Sequence, residues 1–176
     1  LLYWENGPLS GAFPTYYPRF LRNTTGSDIV SGNYVVFADS LELAATSSSD
    51  VILQFIAPTA GIYTFTGDFR GSQGPFGTSI GTTADVFIFA NSTNVLANSI
   101  NGTGSVGINF SRTLASGDVV RFGVSSPGDF IGDSVALRLQ VNSVDSAVPE
   151  PSGVLLMSTA VAMLAGLRKV VRRKRV

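Results

Sequence analysis

Few side chains in this sequence can do chemistry, and they are of restricted type. The chain has no cysteine and no histidine. That removes thiolate nucleophiles, disulfides, Cys- or His-ligated metals and any Ser-His-Asp triad. Carboxylates remain. Asp129 and Asp133 stand in SSPGDFIGDS, residues 125–134, a loop dense in oxygen donors. Calcium takes about six to eight oxygens, so two aspartates with nearby carbonyls offer part of a calcium site. The competing reading is turn chemistry, in which Asp bonds its own backbone. No Asp-x-Asp-x-Asp-Gly loop is present, and no other cofactor is indicated. Asp118 after Gly117, and Asp85 at the head of an apolar run, read as turn or edge residues for the same reason. A glycosidase needs only two carboxylates about 5–10 Å apart. The glutamates before Glu150 are Glu5, in an irregular start, and Glu42, whose Leu41-Glu42-Leu43 setting reads as an exposed strand position. No pair follows from the sequence, and the reading is of a non-catalytic protein.

Aromatic residues are the other candidates. Trp4, Tyr16 and Tyr17 lie in a Gly/Pro-rich N-terminal stretch of the kind that forms functional loops. An aromatic ring offers a flat apolar face with a polar rim, on which a pyranose ring can stack. The same rings could instead close the open end of a sandwich, since aromatic residues mostly bury. Four Asn-x-Ser/Thr triplets begin at Asn23, Asn91, Asn101 and Asn109, and are incidental to a composition rich in Ser, Thr and Asn.

The elements that must position these residues are strands. Apolar residues come in short runs at 33–38, 50–57, 61–69, 84–90, 106–111, 118–124 and 133–141. They are β-branched and aromatic, and turn residues bound them at the spacing of a sandwich or barrel. Tyr63, Phe65 and Phe69 fall on one side of an alternating strand, as do Val120, Phe122 and Val124, and Val135, Leu137, Leu139 and Val141. Turns are expected at Ala57-Pro58-Thr59-Ala60-Gly61, at Ser116-Gly117-Asp118, and at Asn101-Gly102 between two β-like runs. The expected fold is all-β: an antiparallel two-sheet β-sandwich, jelly-roll-like, over residues 1–147 with its core at 28–142, followed by one C-terminal hydrophobic helix.

Charge divides the chain. The formal net charge is zero, but six of the 12 basic residues, Arg168, Lys169, Arg172, Arg173, Lys174 and Arg175, lie at the end. Residues 1–149 then carry six basic against eleven acidic residues, a formal charge of −5. Such a body does not attract phosphate backbones, so nucleic acid is not an expected partner. Residues 153–167, GVLLMSTAVAMLAGL, are uncharged. As a helix they span roughly 22 Å, and snorkelling Arg168 and Lys169 extend the membrane helix to 153–171. The positive-inside rule places the basic tail 172–176 in the cytoplasm and the body outside. Residues 148–152, Val-Pro-Glu-Pro-Ser, form an extended linker ahead of the helix.

A Pro-Glu-Pro tripeptide, an apolar run and a terminal Arg-rich cluster, in that order, resemble the PEP-CTERM sorting signal of proteins exported by exopolysaccharide-producing bacteria. The resemblance covers residues 148–176. It implies recognition at Pro149, Glu150 and Pro151 by an exosortase-type membrane enzyme, which removes the tail. It also implies a transient membrane anchor, a final place at the cell surface or in the extracellular matrix, and an N-terminal signal peptide, which the chain from Leu1 does not display. The stretches LQFIAPTAGIYTFTGDF, TTADVFIFANSTNVL, LASGDVVRFGV and GDSVALRLQV, within about residues 41–141, are similar to a domain that recurs in PEP-CTERM proteins. That domain resembles carbohydrate-binding jelly rolls, and most of its members have no established ligand. The function expected is a non-catalytic module associated with exopolysaccharide. The alternatives are an adhesive or self-assembling biofilm component and a small glycan-active enzyme. A binder needs a concave or planar aromatic patch, an assembler an unprotected strand edge, and an enzyme paired carboxylates in a cleft.

Overall fold

The structure, a computed structural model, describes residues 2–5, 18–32, 34–73, 81–128 and 134–145. These belong to one compact unit, Leu1–Asp145. The strands in chain order are β1 (Leu2–Glu5), β2 (Arg19–Arg22), β3 (Ile29–Ser31), β4 (Tyr34–Val36), β5 (Leu41–Ala44), β6 (Val51–Ile56), β7 (Gly61–Gly71), β8 (Thr83–Ala90), β9 (Thr93–Asn101), β10 (Ser105–Leu114), β11 (Val119–Ser125) and β12 (Ser134–Asp145). One sheet has the order β1-β2-β5-β12-β7-β10, a second β6-β11-β8-β9, and β3 and β4 form a separate hairpin. All the registered pairings are antiparallel. From β5 to β12 the chain passes repeatedly between the two large sheets, which is the strand order of a jelly roll.

The alternation read in the sequence is what closes this sandwich. Tyr63, Phe65 and Phe69 of β7, and Val135 and Leu137 of β12, are buried on the inner face of the six-stranded sheet. Val86 and Ile88 of β8, and Val120, Phe122 and Val124 of β11, meet them from the other sheet in one continuous core. Rings span the gap: Phe55 of β6 stands edge-on to Phe65 of β7, with centroids 5.5 Å apart. Burying such a side chain stabilises by about 1.5–3 kcal/mol, so these rows outweigh any local strand preference.

The expected turns all exist but do different work. Segments 57–60, 102–104 and 115–118 carry the chain from one sheet to the other, and none of them closes a hairpin. Asn101-Gly102 in particular is a crossover, because β9 pairs with β8 and β10 with β7. Asp118 caps its turn as expected, accepting the Ala115 N–H at 2.8 Å. The tight hairpin of the four-stranded sheet is instead at Asn91-Ser92, where Ala90 pairs with Thr93 and Asn91 takes φ 52°. Asn tolerates that left-handed conformation better than most residues. The N-terminal stretch is less irregular than its composition implies. Trp4 and Glu5 lie in β1, and Trp4 registers with Phe20 of β2, so strands occur ahead of residue 28.

Tyr16, Tyr17, Asp129 and Asp133 lie outside the described residues. So do the linker 148–152 with Pro149, Glu150 and Pro151, the helix expected at 153–171, and the tail with Arg168, Lys169, Arg172, Arg173, Lys174 and Arg175. Among the described residues no helix is long and apolar enough to cross a membrane.

Gly67, in the middle of β7, marks the tightest strand contact. Its φ is +149°, and a Cβ there would lie 1.9 Å from the main-chain oxygen of Arg138 on β12. Gly67→Ala is therefore expected to destabilise by about 3 kcal/mol or more in urea unfolding. Gly107→Ala on the neighbouring β10, where a Cβ meets nothing within 4 Å, should stay within about 0.5 kcal/mol. Equal effects at the two positions would refute this account of the β7–β12 contact.

Candidate functional site

The outer face of the six-stranded sheet carries a charged cluster. Residues Asp68 and Arg70 of β7 stand opposite Arg138 and Ala136 of β12. Arg138 donates from Nε to Asp68 Oδ1 at 2.9 Å, and its two Nη atoms reach Asp68 at 2.8 Å and Asp39 at 3.3 Å. Arg70 lies 3.8 Å from Asp68 and covers the Phe37 ring at 4.5 Å from its centroid. Asp68 foremost, then Asp39, holds the Arg138 guanidinium in its charged form. These exposed pairs contribute little stability. Their consequence is positional: they tie the 37–40 turn to the sheet and satisfy both carboxylates.

The second carboxylate, Glu42, is enclosed rather than in the exposed strand position its Leu-Glu-Leu setting predicts. Glu42 is 1% exposed. In β5 it pairs with Leu21 on one side and Ala136 on the other, on the outer face. The segment after β2 folds back over that face. It is held by Asn23, whose Nδ2 donates to the main-chain oxygens of Ser27 at 2.7 Å and Val36 at 2.9 Å. It is also held by Val35 N–H donating to Ser72 O at 2.9 Å. Beneath it, Ser72 Oγ donates to Glu42 Oε2 at 2.6 Å. Burial pushes the Glu42 carboxyl up to about 7, against weaker opposing contributions from Ser72, Tyr34 and Arg19. Burial likewise pushes the Tyr34 hydroxyl up. A carboxyl this enclosed has no access to substrate, so it works as a clasp. An alternating Leu-Glu-Leu triplet cannot reveal a cover supplied by residues about ten positions away.

The aromatic feature lies on the opposite side of the molecule. In β8, Val86 and Ile88 point inward, so Phe87 and Phe89 point out from the four-stranded sheet. Phe87 registers with Gly123 of β11, and Gly123 with Ile52 of β6. A Cβ at Gly123 would sit 2.0 Å from Phe87 Cζ and 2.2 Å from Cε2. The ring therefore lies down on the glycine, with Phe89 beside it at 5.7 Å and 64°. Polar side chains frame it at register positions: Gln54 and Arg121 in one row, Asp85, Ser99 and Ser125 in another. Ser99 Oγ bonds Asp85 Oδ1 at 2.5 Å, so Asp85 is an outer-face residue with a fixed acceptor. Two signals for this platform exist in the sequence: apolar residues in both phases of VFIF, and a lone glycine inside a strand.

A third feature lies between the sheets. A groove of about 360 Å³ is lined by Leu41, Leu53, Leu137 and Leu139, with Arg22, Asp39 and Ser40 at its rim. Among the aromatic and metal candidates of the sequence, Trp4 is placed only as a main-chain position in β1. No group of three or more metal-ligating side chains occurs among the described residues.

The buried carboxyl gives a pH prediction. The folded-state value near 7 lies above an unfolded value of about 4.3, so the folded chain holds the proton more tightly. The Glu42 contribution to stability should be greatest below about pH 4.3, fall between about pH 4.3 and 7 by up to roughly 4 kcal/mol, and level off above. Denaturant melts of Glu42→Gln should lack that slope; an unchanged slope would place its origin elsewhere.

No family model matches the sequence, and no curated protein matches it. Solved structures similar in part to this one include a xylan-binding CBM22-1 domain from Paenibacillus barcinonensis Xyn10C. It is 9% identical, with 73% of this chain and 87% of that one covered and a TM-score of 0.42. A CBM51 from Clostridium perfringens GH95, in complex with methyl-galactose, is 15% identical over 70% and 79% of the two chains, with a TM-score of 0.42. A family 35 carbohydrate binding module from Clostridium thermocellum is 16% identical over 71% and 88%, with a TM-score of 0.35.

Proposed function

We propose that this chain is an exported, non-catalytic surface or matrix module that binds exopolysaccharide, and that its segment 148–176 is a PEP-CTERM sorting signal cut by an exosortase-type enzyme. The observation that carries the binding half is the Phe87 ring laid flat on Gly123. A pyranose presents axial C–H groups on its face and hydroxyls at its edge. Stacked on Phe87, it would set those hydroxyls among Gln54, Arg121, Asp85, Ser99 and Ser125, which offer both donors and acceptors. The non-catalytic half rests on what the carboxylates do: Asp39 and Asp68 are held by Arg138, and Glu42 is enclosed. Calcium at Asp129 and Asp133 remains a proposal from the sequence. The sorting half rests on Pro149-Glu150-Pro151, the apolar run and the Arg-rich end.

Titration calorimetry of the purified protein with the host's exopolysaccharide, with and without calcium, should give saturable heat. Phe87→Ala and Gly123→Val should each weaken it at least tenfold, while Arg138→Ala leaves it within about twofold. Full affinity in both platform variants would remove Phe87 as the site. For the sorting half, the intact mass of protein recovered from the producing cells should correspond to an end near Pro149. A mass that still includes the basic tail would sink it.

A further inference from the structure

We propose that the free edge of β12 is a docking site for a single extended polypeptide segment, which adds antiparallel to β12 where β5 stops. β7 pairs with β12 along Val135–Asp145, but β5 pairs with it over Ser134–Leu137 alone. Residues 37–40 then turn away from β12 and are held there by the Asp39–Arg138 bridge. Beyond Leu137, no described strand pairs with the second edge of β12. Ser72 N–H donates to Ser134 O at 3.2 Å. The alternation of an antiparallel ladder then turns the N–H and C=O of Leu139, Val141 and Ser143 away from β7.

Two further observations say what fits. The first is the groove of about 360 Å³ beside this edge, whose Leu41, Leu53, Leu137 and Leu139 walls would receive alternate side chains of an added strand. The second is the edge sequence. Leu139–Val144, LQVNSV, has no charge, proline or glycine, and so lacks the devices that normally blunt an edge. Val144 is 72% exposed and its cross-strand partner Ile62 is 48% exposed. The occupant is one segment rather than a second folded copy. β6 already lines the gap through Leu53, so a whole sandwich arriving edge-on would need its own second layer where β6 stands. A lone strand with apolar residues at every second position needs the upper layer only. This inference is independent of glycan binding, since it uses the other sheet and main-chain chemistry.

The test is amide hydrogen exchange on the full-length chain, alone and with the capped peptide Thr-Val-Thr-Val-Thr-Val-Thr at millimolar concentration. Expected are fast exchange at Leu139, Val141 and Ser143 in the chain alone, at least tenfold protection of these three with peptide, and no change at Gln140 and Asn142. Ser143→Pro, which removes a free-side N–H and spares the β7 ladder, should abolish the protection. Slow exchange at the three amides in the chain alone, no response to peptide, or protection that rises with chain concentration in its absence would each overturn the proposal. The last result would assign the edge to a second copy. Because the readout comes first from the unaltered chain, misfolding of Ser143→Pro does not rescue the idea.

Discussion

The rings around Phe65 are the interaction on which the rest of the molecule depends. Phe65 is fully buried on β7. It stacks on Phe110 of β10 at 4.9 Å, meets Phe55 of β6 at 5.5 Å, and lies 5.8 Å from Phe122 of β11. One residue thus ties its own sheet together and fastens it to the other. Aromatic pairs add about 0.5–1.5 kcal/mol each beyond area burial. With no cysteine to staple the sheets, this cluster and the aliphatic rows around it must hold the sandwich closed. Every strand that takes part has its apolar phase set inward by it, and what remains on the outward phase becomes available for other work.

The two outer faces have used that freedom differently. On the six-stranded sheet, hydroxyl and amide side chains line the central strands: Thr64 bonds Ser111 across the β7–β10 pair at 2.8 Å. One charged cluster lies around Arg138. Part of this face is roofed by the segment after β2, and the roof encloses a carboxyl that would otherwise be hydrated. A buried acid is a poor source of stability when ionised, because desolvation opposes its charge. Here one hydroxyl donor from Ser72 and a raised affinity for its proton make the arrangement tolerable. On the four-stranded sheet the outward phase is partly aromatic, and Gly123 gives up its side chain so that Phe87 can lie flat.

The sandwich is also unevenly closed. β5 covers a third of the length of β12, and the inter-sheet groove opens where it ends. A jelly roll with a full-length strand at that place would have neither the groove nor the free main-chain edge. The same truncation that moves residues 37–40 onto the outer face, where they meet Asp68 and Arg138, therefore leaves a docking edge behind. Ring platform and strand edge belong to different sheets and follow from different causes: one from side-chain phase, the other from strand length.

By itself the sequence determined the fold class, most of the strands from Val51 onward, and the reversals between them. Those depend on period-two alternation and on residues with special backbone freedom, which are local properties. It also determined what chemistry is excluded, because the absence of histidine and cysteine is independent of any fold. β9 is not legible because its exposed, polar sequence, TNVLANSIN, shows little alternation, and β1 and β2 because each is only four residues long beside a Gly/Pro-rich stretch. Only the tertiary structure decided which turns are hairpins and which are crossovers, since both use the same Gly, Pro and Asn signals. It decided that Glu42 is enclosed and that Phe87 lies on Gly123, because each depends on which strand stands alongside. Pairing across a sheet joins residues tens of positions apart, and that information is carried by the packing of the whole core rather than by any one segment.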